Sequence, residues 1–233
     1  MIVAEQKTIE EIIESIEGYK SVVIASCGTC VTVCMAGGEK EAIKLQGLLL
    51  AGSGKQREIK IVNCKRQCDH EFIDELADEL LSGDVILSLA CGVGVQFMSE
   101  KFFEKPPDGP VPPDGPVPVI PGLNTQFYGA SKALGHWVEY CQGCGNCLLE
   151  RTCGICPVTR CSKSNFNGPC GGSQNGECEL ENQDCAWQLI YERVKHFGKL
   201  EGLAEIFEQR DWRTSRDGGP RSIRRTDVIV EEQ

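Results

Sequence analysis

Nine of the chain's fifteen cysteines fall between Cys141 and Cys185, in the order Cys141-x2-Cys144-x2-Cys147-x5-Cys153-x2-Cys156-Pro157-x3-Cys161-x8-Cys170-x7-Cys178-x6-Cys185. A single cysteine is most often a small buried hydrophobe, but chance does not gather nine thiols into so short a stretch. Thiols this dense are ligands for soft metals. The opening C-x2-C-x2-C resembles the ferredoxin run in which three thiolates grip one cubane while a remote cysteine, often before proline, belongs to another. Cys156-Pro157 fits that second role. Two four-thiolate zinc sites would use eight cysteines just as two [4Fe-4S] clusters would, and either would fold a segment that has little core. Spacing separates the two. Three cysteines in immediate succession suit a cubane, whose corners are separate irons, better than paired knuckles around one zinc. Iron–sulfur is therefore the leading reading and zinc the alternative metal.

The other six thiols follow predicted strands. Cys27, Cys30 and Cys34 form C-x2-C-x3-C after the first apolar run, Cys64 and Cys68 follow the second, and Cys91 follows the third. Loops leaving the carboxyl ends of strands in an open α/β sheet converge on one crevice, so six thiols from three loops can meet there. Cys27 and Cys30 are the strongest pair, because a two-residue gap lets both sulfurs bend onto one centre. Further ligands come from Cys34, Cys64, Cys68 or Cys91, among which periodicity does not choose. The set carried forward is Cys27, Cys30, Cys34, Cys68 and Cys91 as ligands of a third cluster, set against a mixture of buried and redox-idle thiols. Cys-Gly-Thr-Cys also resembles a thioredoxin-type redox pair, and Cys34, four residues on, argues against that. Cys91-Gly-Val-Gly-Val lacks the full glycine spacing of a dinucleotide loop. His70, His136 and His196 are too scattered for a Rieske centre.

These thiols need elements to position them. Thr8-Ile9-Glu10-Glu11 is a capping-box signature ahead of Ile9, Ile12, Ile13 and Ile16 at helical spacing. Val22–Ala25, Ile59–Val62 and Asp84–Ala90 read as buried strands, and Val117–Ile120 as an edge strand, since proline cannot donate within a ladder. Helices are expected from Gly37-Gly38 through Leu50, after a capping Asp69 with Phe72, Ile73, Leu76 and Leu80 inward, and over Gly92–Phe103. This alternation predicts an α/β fold: an open, mostly parallel sheet flanked by helices, followed by a small Cys-rich iron–sulfur domain and C-terminal helices. The hexapeptide Pro107–Pro112 is repeated at Pro113–Pro118, a duplication that a surface loop tolerates. Trp187, Ile190, Tyr191 and Val194 mark a helix over Cys185–Phe197, with another near Leu200–Gln209. Three segments follow: 1–135 the α/β domain, 136–210 the cluster domain with its helices, and 211–233 an Arg/Gly-rich tail or docking arm.

A hydrophobic share of 41% beside 25% charged residues is ordinary for a folded soluble protein, so disorder is not the default. A formal net charge of -10 repels nucleic acid and anionic membranes, and neither is an expected partner. The N-terminal MIVAEQKTIEEIIE carries acids where a signal peptide needs a basic start, and no stretch approaches the length of a membrane span. The expected location is cytoplasmic. Reduced cytoplasmic thiols, and their odd number, exclude a disulfide framework.

NGPCGG at Asn167–Gly172, Gly176-Glu177-Cys178-Glu179, Cys185-Ala186-Trp187, Cys156-Pro157-x3-Cys161-Ser162-Lys163, Cys91-Gly-Val-Gly-Val-Gln96 and Leu123-Asn124-Thr125 together resemble one family. It is the methylenetetrahydrofolate reductase C-terminal family, known best from MetV-type iron–sulfur small subunits of acetogens. The resemblance covers about residues 20 to 200. It implies a flavin-bearing (FMN) TIM-barrel catalytic subunit as partner, with a further electron-donor subunit as a second candidate, and an electron-transfer role for this chain. It implies [4Fe-4S] clusters on Cys141, Cys144, Cys147, Cys156, Cys161, Cys170, Cys178 and Cys185. A glycine is usual in that family at the place of Cys153, which makes Cys153 a spectator. No general base, nucleophile pair or folate-positioning carboxylates stand out, so the chain reads as a non-catalytic subunit. The competing readings are a zinc-stapled scaffold and a ferredoxin-like module of another flavoenzyme.

Overall fold

Runs of apolar residues without polar alternation build the first unit, Met1–Val138, of a computed structural model that describes residues 1–52, 57–103, 116–180, 183–206, 208–223, 225 and 227. Its elements, in order, are β1 (Ile2–Gln6), α1 (Ile9–Ser15), β2 (Ser21–Cys27), α2 (Cys30–Val33), α3 (Glu39–Gly52), β3 (Glu58–Cys64), α4 (His70–Asp74), α5 (Ala77–Leu80), β4 (Val85–Ser88), α6 (Gly92–Phe103), β5 (Val119–Pro121), β6 (Leu123–Ala133) and β7 (His136–Cys141). Four strands make a parallel sheet in the order β3-β2-β4-β5. Both faces of this sheet are covered. Val22, Ile24, Val85 and Leu87 pack with Ile12 and Ile16 of the α1 region and with Ala42, Leu45 and Leu49 of α3. Val23, Ala25, Val62 and Ile86 pack on the opposite side with Ile73, Leu80 and Met98. Burial on two faces is why the central strands β2 and β4 are almost continuously apolar, whereas β3, at the sheet edge, alternates with exposed Glu58, Lys60 and Asn63.

The capping box at Thr8 forms: its side chain accepts from the Glu11 N–H, and Glu11 accepts from the Thr8 N–H. Asp69 departs from expectation. It occupies the N-cap of α4 without a capping hydrogen bond, because its carboxylate pairs with Arg66 at 3.4 Å, and the single expected helix breaks at Leu76 into α4 and α5. A second sheet, β1-β6-β7, was not read from the sequence. There β1 runs antiparallel to β6, from Ile2 opposite Tyr128 to Gln6 opposite Leu123. The edge strand lies at Val119–Pro121, two residues later than expected, and pairs in parallel with β4. Of the duplicated hexapeptide, residues 107–115 lie outside the described residues.

The second unit, Glu139–Gln233, is mostly loop. It holds α7 (Pro157–Arg160) and α8 (Ala186–His196). Ile155, Trp187, Ile190 and Val194 form its buried cluster, and the Trp187 indole N–H donates to the Asn165 carbonyl at 2.6 Å. So small a core for 95 residues leaves a deficit that bound metal is suited to fill. The helix expected over 200–209 is instead a 3-10 turn at Leu200–Leu203. Gly202 lies within that turn and Gly198, at φ 67°, precedes it, and both disfavour a continuous helix. Two further 3-10 turns follow at Trp212–Thr214 and Arg216–Gly218. Among the described residues, no helix is long and apolar enough to cross a membrane.

Candidate metal centre

The loop from Cys141 to Cys147 turns on glycines. Gly143 and Gly145 have φ of 65° and 79°, a left-handed region that side chains avoid. Gly145 is needed twice, because a Cβ there would lie 2.3 Å from the Thr214 carbonyl oxygen. That close approach docks the segment 210–221 on the loop. Thr214 Oγ1 donates to the Cys144 carbonyl at 3.0 Å, and Arg221 donates to the Gly143 carbonyl at 2.6 Å. The Gly143 N–H points at Cys141 Sγ, 3.3 Å away.

Cys141, Cys144, Cys147 and Cys156 line one pocket of about 200 Å³ together with Thr159 and Arg210. Pro157 at the first position of α7 turns the chain so that Cys156 lies beside the C-x2-C-x2-C run. Cys156, read from the sequence as the remote cysteine before proline, lines the same pocket as these three. Among the described residues, no three His, Cys, Asp or Glu side chains are gathered tightly enough for a single metal ion.

Arg210 shows what the pocket suits. It is 8% exposed, stacks over Trp212 at 4.7 Å, and donates through Nη2 to Cys144 Sγ at 2.7 Å and to the Asn146 carbonyl. Among the described residues its Nε and Nη1 have no hydrogen-bond partner. Burying a guanidinium with unpaired N–H groups is costly unless an anion faces it. Four thiolates carrying a metal centre would be such an anion; thiol donors suit an iron–sulfur cluster or a zinc by chemistry, and their spread, too wide for one ion, suits the cluster better. Sequence reasoning had given Arg210 no role, and no spacing could have supplied one.

The remaining array cysteines lie elsewhere in the unit. Cys153, Cys161 and Cys185 pack at the edge of the Trp187 cluster. Cys153 has φ 48°, a conformation that glycine adopts without strain. The Cys185 N–H bonds to Gly176 O and the Cys178 N–H to Gln183 O, which ties these two into one small turn structure. Cys170 Sγ accepts from the Gly172 N–H at 3.5 Å, and this bond, then the Lys163 charge, holds its thiol below the usual range.

In the first unit the thiols divide. Cys27 and Cys64 are register partners at the carboxyl ends of β2 and β3. Burial pushes the Cys64 thiol up to about 11, with the neighbouring Cys27 and Cys68 adding to the rise. Burial, then Cys91 and Cys27, raises Cys68 likewise. Cys34 faces away, its Sγ donating to the carbonyls of Ala4 and Val31 at 3.6 Å. Its raised thiol has Cys30, on the preceding turn, as its thiol neighbour. Cys64 thus neighbours Cys27 and Cys68, and Cys68 neighbours Cys91, while Cys34 has Cys30 as a thiol neighbour.

A parallel α/β unit followed by a loop-rich unit with clustered thiols is the architecture to be compared with known proteins. Residues 120–213 match the model of a family described as Methylene-tetrahydrofolate reductase C terminal. The matched segment contains β6, β7, every cysteine from Cys141 to Cys185, and Arg210. No curated protein and no solved structure matches the chain.

Proposed function

We propose that this chain is the iron–sulfur electron-transfer subunit, of MetV type, of a flavin-dependent methylenetetrahydrofolate reductase complex. The observation that carries the proposal is the pocket of Cys141, Cys144, Cys147 and Cys156, closed by a buried Arg210 with unpaired N–H groups, inside the segment that matches the reductase-related family. Those four cysteines would hold one [4Fe-4S] cluster and Cys161, Cys170, Cys178 and Cys185 a second. When bound, such clusters supply one-electron transfer, whereas a flavin on the catalytic partner collects two electrons and delivers a hydride. The chain's own residues hold the thiolates, aim N–H groups of Gly143, Gly172 and Arg210 at sulfur, and thereby tune the potential. The partner is an FMN-bearing TIM-barrel subunit, with a separate donor subunit feeding electrons in.

Co-expression with the flavin-bearing reductase subunit, anaerobic co-purification, and assay of methylenetetrahydrofolate reduction with a low-potential donor test the proposal. The complex is expected to reduce its substrate, and Cys144→Ser to lose donor-linked activity while the flavin stays bound. A complex that never turns over with any low-potential donor would end this reading, and co-purification with a flavin-bearing partner of another activity would favour another flavoenzyme's ferredoxin-like module. Zinc in place of iron and sulfide would make the chain a scaffold.

A further inference from the structure

A second thiol-lined place lies within the first unit. From β2 the chain passes to β3 on one side and then to β4 on the other, so β2 and β4 flank the point where the strand order reverses. Crevices that bind ligands open outside the carboxyl ends of strands at such a point. Cys27 ends β2, Cys64 ends β3 directly opposite it, and Cys91 precedes the first residue of α6.

The loop after β3 is bent back over this edge by one buried side chain. Gln67, fully buried, donates to the Ala25 and Ser26 carbonyls of β2 at 2.8 and 3.0 Å and accepts from Ser88 Oγ of β4 at 2.6 Å. Gly94, in the first turn of α6, packs so closely that a Cβ there would meet Gln67 Cβ at 3.0 Å. Gln67 therefore pins its neighbour Cys68 to the start of the helix that follows Cys91. The Gly28 N–H bond to Cys64 O, at 2.9 Å, holds the β2 and β3 loops together. Four thiols from three loops are thus drawn to one edge. Three are nearly buried, at 7, 2 and 8% for Cys27, Cys64 and Cys91, and Cys68 is the exposed one.

We infer that Cys27, Cys64, Cys68 and Cys91 form a four-thiolate site for a thiophilic metal centre, made only of ligands from the first unit. Because no three of these side chains are gathered tightly enough for one ion, an iron–sulfur cluster, whose corners are separate irons, suits the site better than zinc, and metal analysis separates the two. Cys34, whose Sγ donates to the Ala4 and Val31 carbonyls at 3.6 Å, is left out of the site; Cys64 Sγ makes one longer contact of that kind, 3.8 Å to the Phe72 carbonyl.

The full-length chain, purified without oxygen, is analysed for iron, zinc and acid-labile sulfide beside Cys68→Ser, Cys91→Ser and Cys34→Ser. Cys68→Ser and Cys91→Ser are each expected to lose one centre's content, either about one zinc or about four irons with matching sulfide, and Cys34→Ser to equal the parent. Parent-level metal in folded Cys68→Ser, or an equal loss in Cys34→Ser, overturns the assignment. Cys68 is exposed, so circular dichroism of its variant establishes that the fold survives even where Cys91→Ser fails to fold. Because the readout is a difference from the parent, it stands whether or not the array is metallated.

Discussion

A buried positive charge beside a thiolate makes a definite electrochemical demand. Arg210 favours whichever state of the neighbouring centre is more negative, which is the reduced state. Arg210→Gln is therefore expected to lower the reduction potential of the Cys144-containing cluster. A tenfold shift in the one-electron equilibrium corresponds to about 59 mV, a change that EPR-monitored redox titration resolves. An unchanged potential would mean the guanidinium serves only packing. Cys64 makes a different demand. Its folded thiol titrates near 11 against about 9 for a free thiol, so the folded state binds that proton more tightly. The resulting stability is fully present below about pH 9 and is lost as pH rises through about 11. Urea denaturation of the metal-stripped chain is expected to show stability falling across that window, and Cys64→Ala is expected to flatten the fall. Cys170 runs the other way: with its thiol held low, alkylation of the metal-free chain should reach Cys170 at lower pH than Cys64.

The elements that hold these residues can be tested one by one. Gly145→Ala forces a left-handed φ on alanine and a clash with the Thr214 carbonyl, a cost of about 1–3 kcal/mol. Trypsin is expected to cut after Arg213 and Arg221 much faster in that variant, and equal cleavage would show that 210–221 is not held by the loop. Ile190→Ala opens the small core of the second unit and is expected to cost about 2–5 kcal/mol in denaturation of that unit. How far each element could be read in advance follows from where its contacts lie. Strands β2 and β4 were legible because burial on both faces writes itself as nearly unbroken apolar residues, and β3 because Ile59, Ile61 and Val62 stand among exposed Glu58, Lys60 and Asn63. Strand β1 was not, since only Val3 and Ala4 of its five residues are buried and its partner β6 lies over a hundred residues away. The array cysteines were legible as ligands by spacing, but their grouping was not. Only Pro157's turn brings Cys156 beside Cys141, Cys144 and Cys147, and only strand register sets Cys64 against Cys27. Arg210 was illegible because its partner Cys144 is 66 residues distant.

At the scale of the whole chain, the two units carry different kinds of stability. The first buries sheet and helices on two faces, whereas the second has few buried apolar side chains and many thiols. Folding of the second unit should accordingly depend on its metal, because binding energy then counts as folding energy. The most direct test is metal and sulfide analysis of the full chain purified without oxygen, compared with Cys144→Ser and Cys153→Ala. The parent is expected to contain at least about eight irons and eight acid-labile sulfides from the array, Cys144→Ser to lose about four of each, and Cys153→Ala to match the parent. Zinc without sulfide in the parent, or equal losses in Cys144→Ser and Cys153→Ala, would contradict the account.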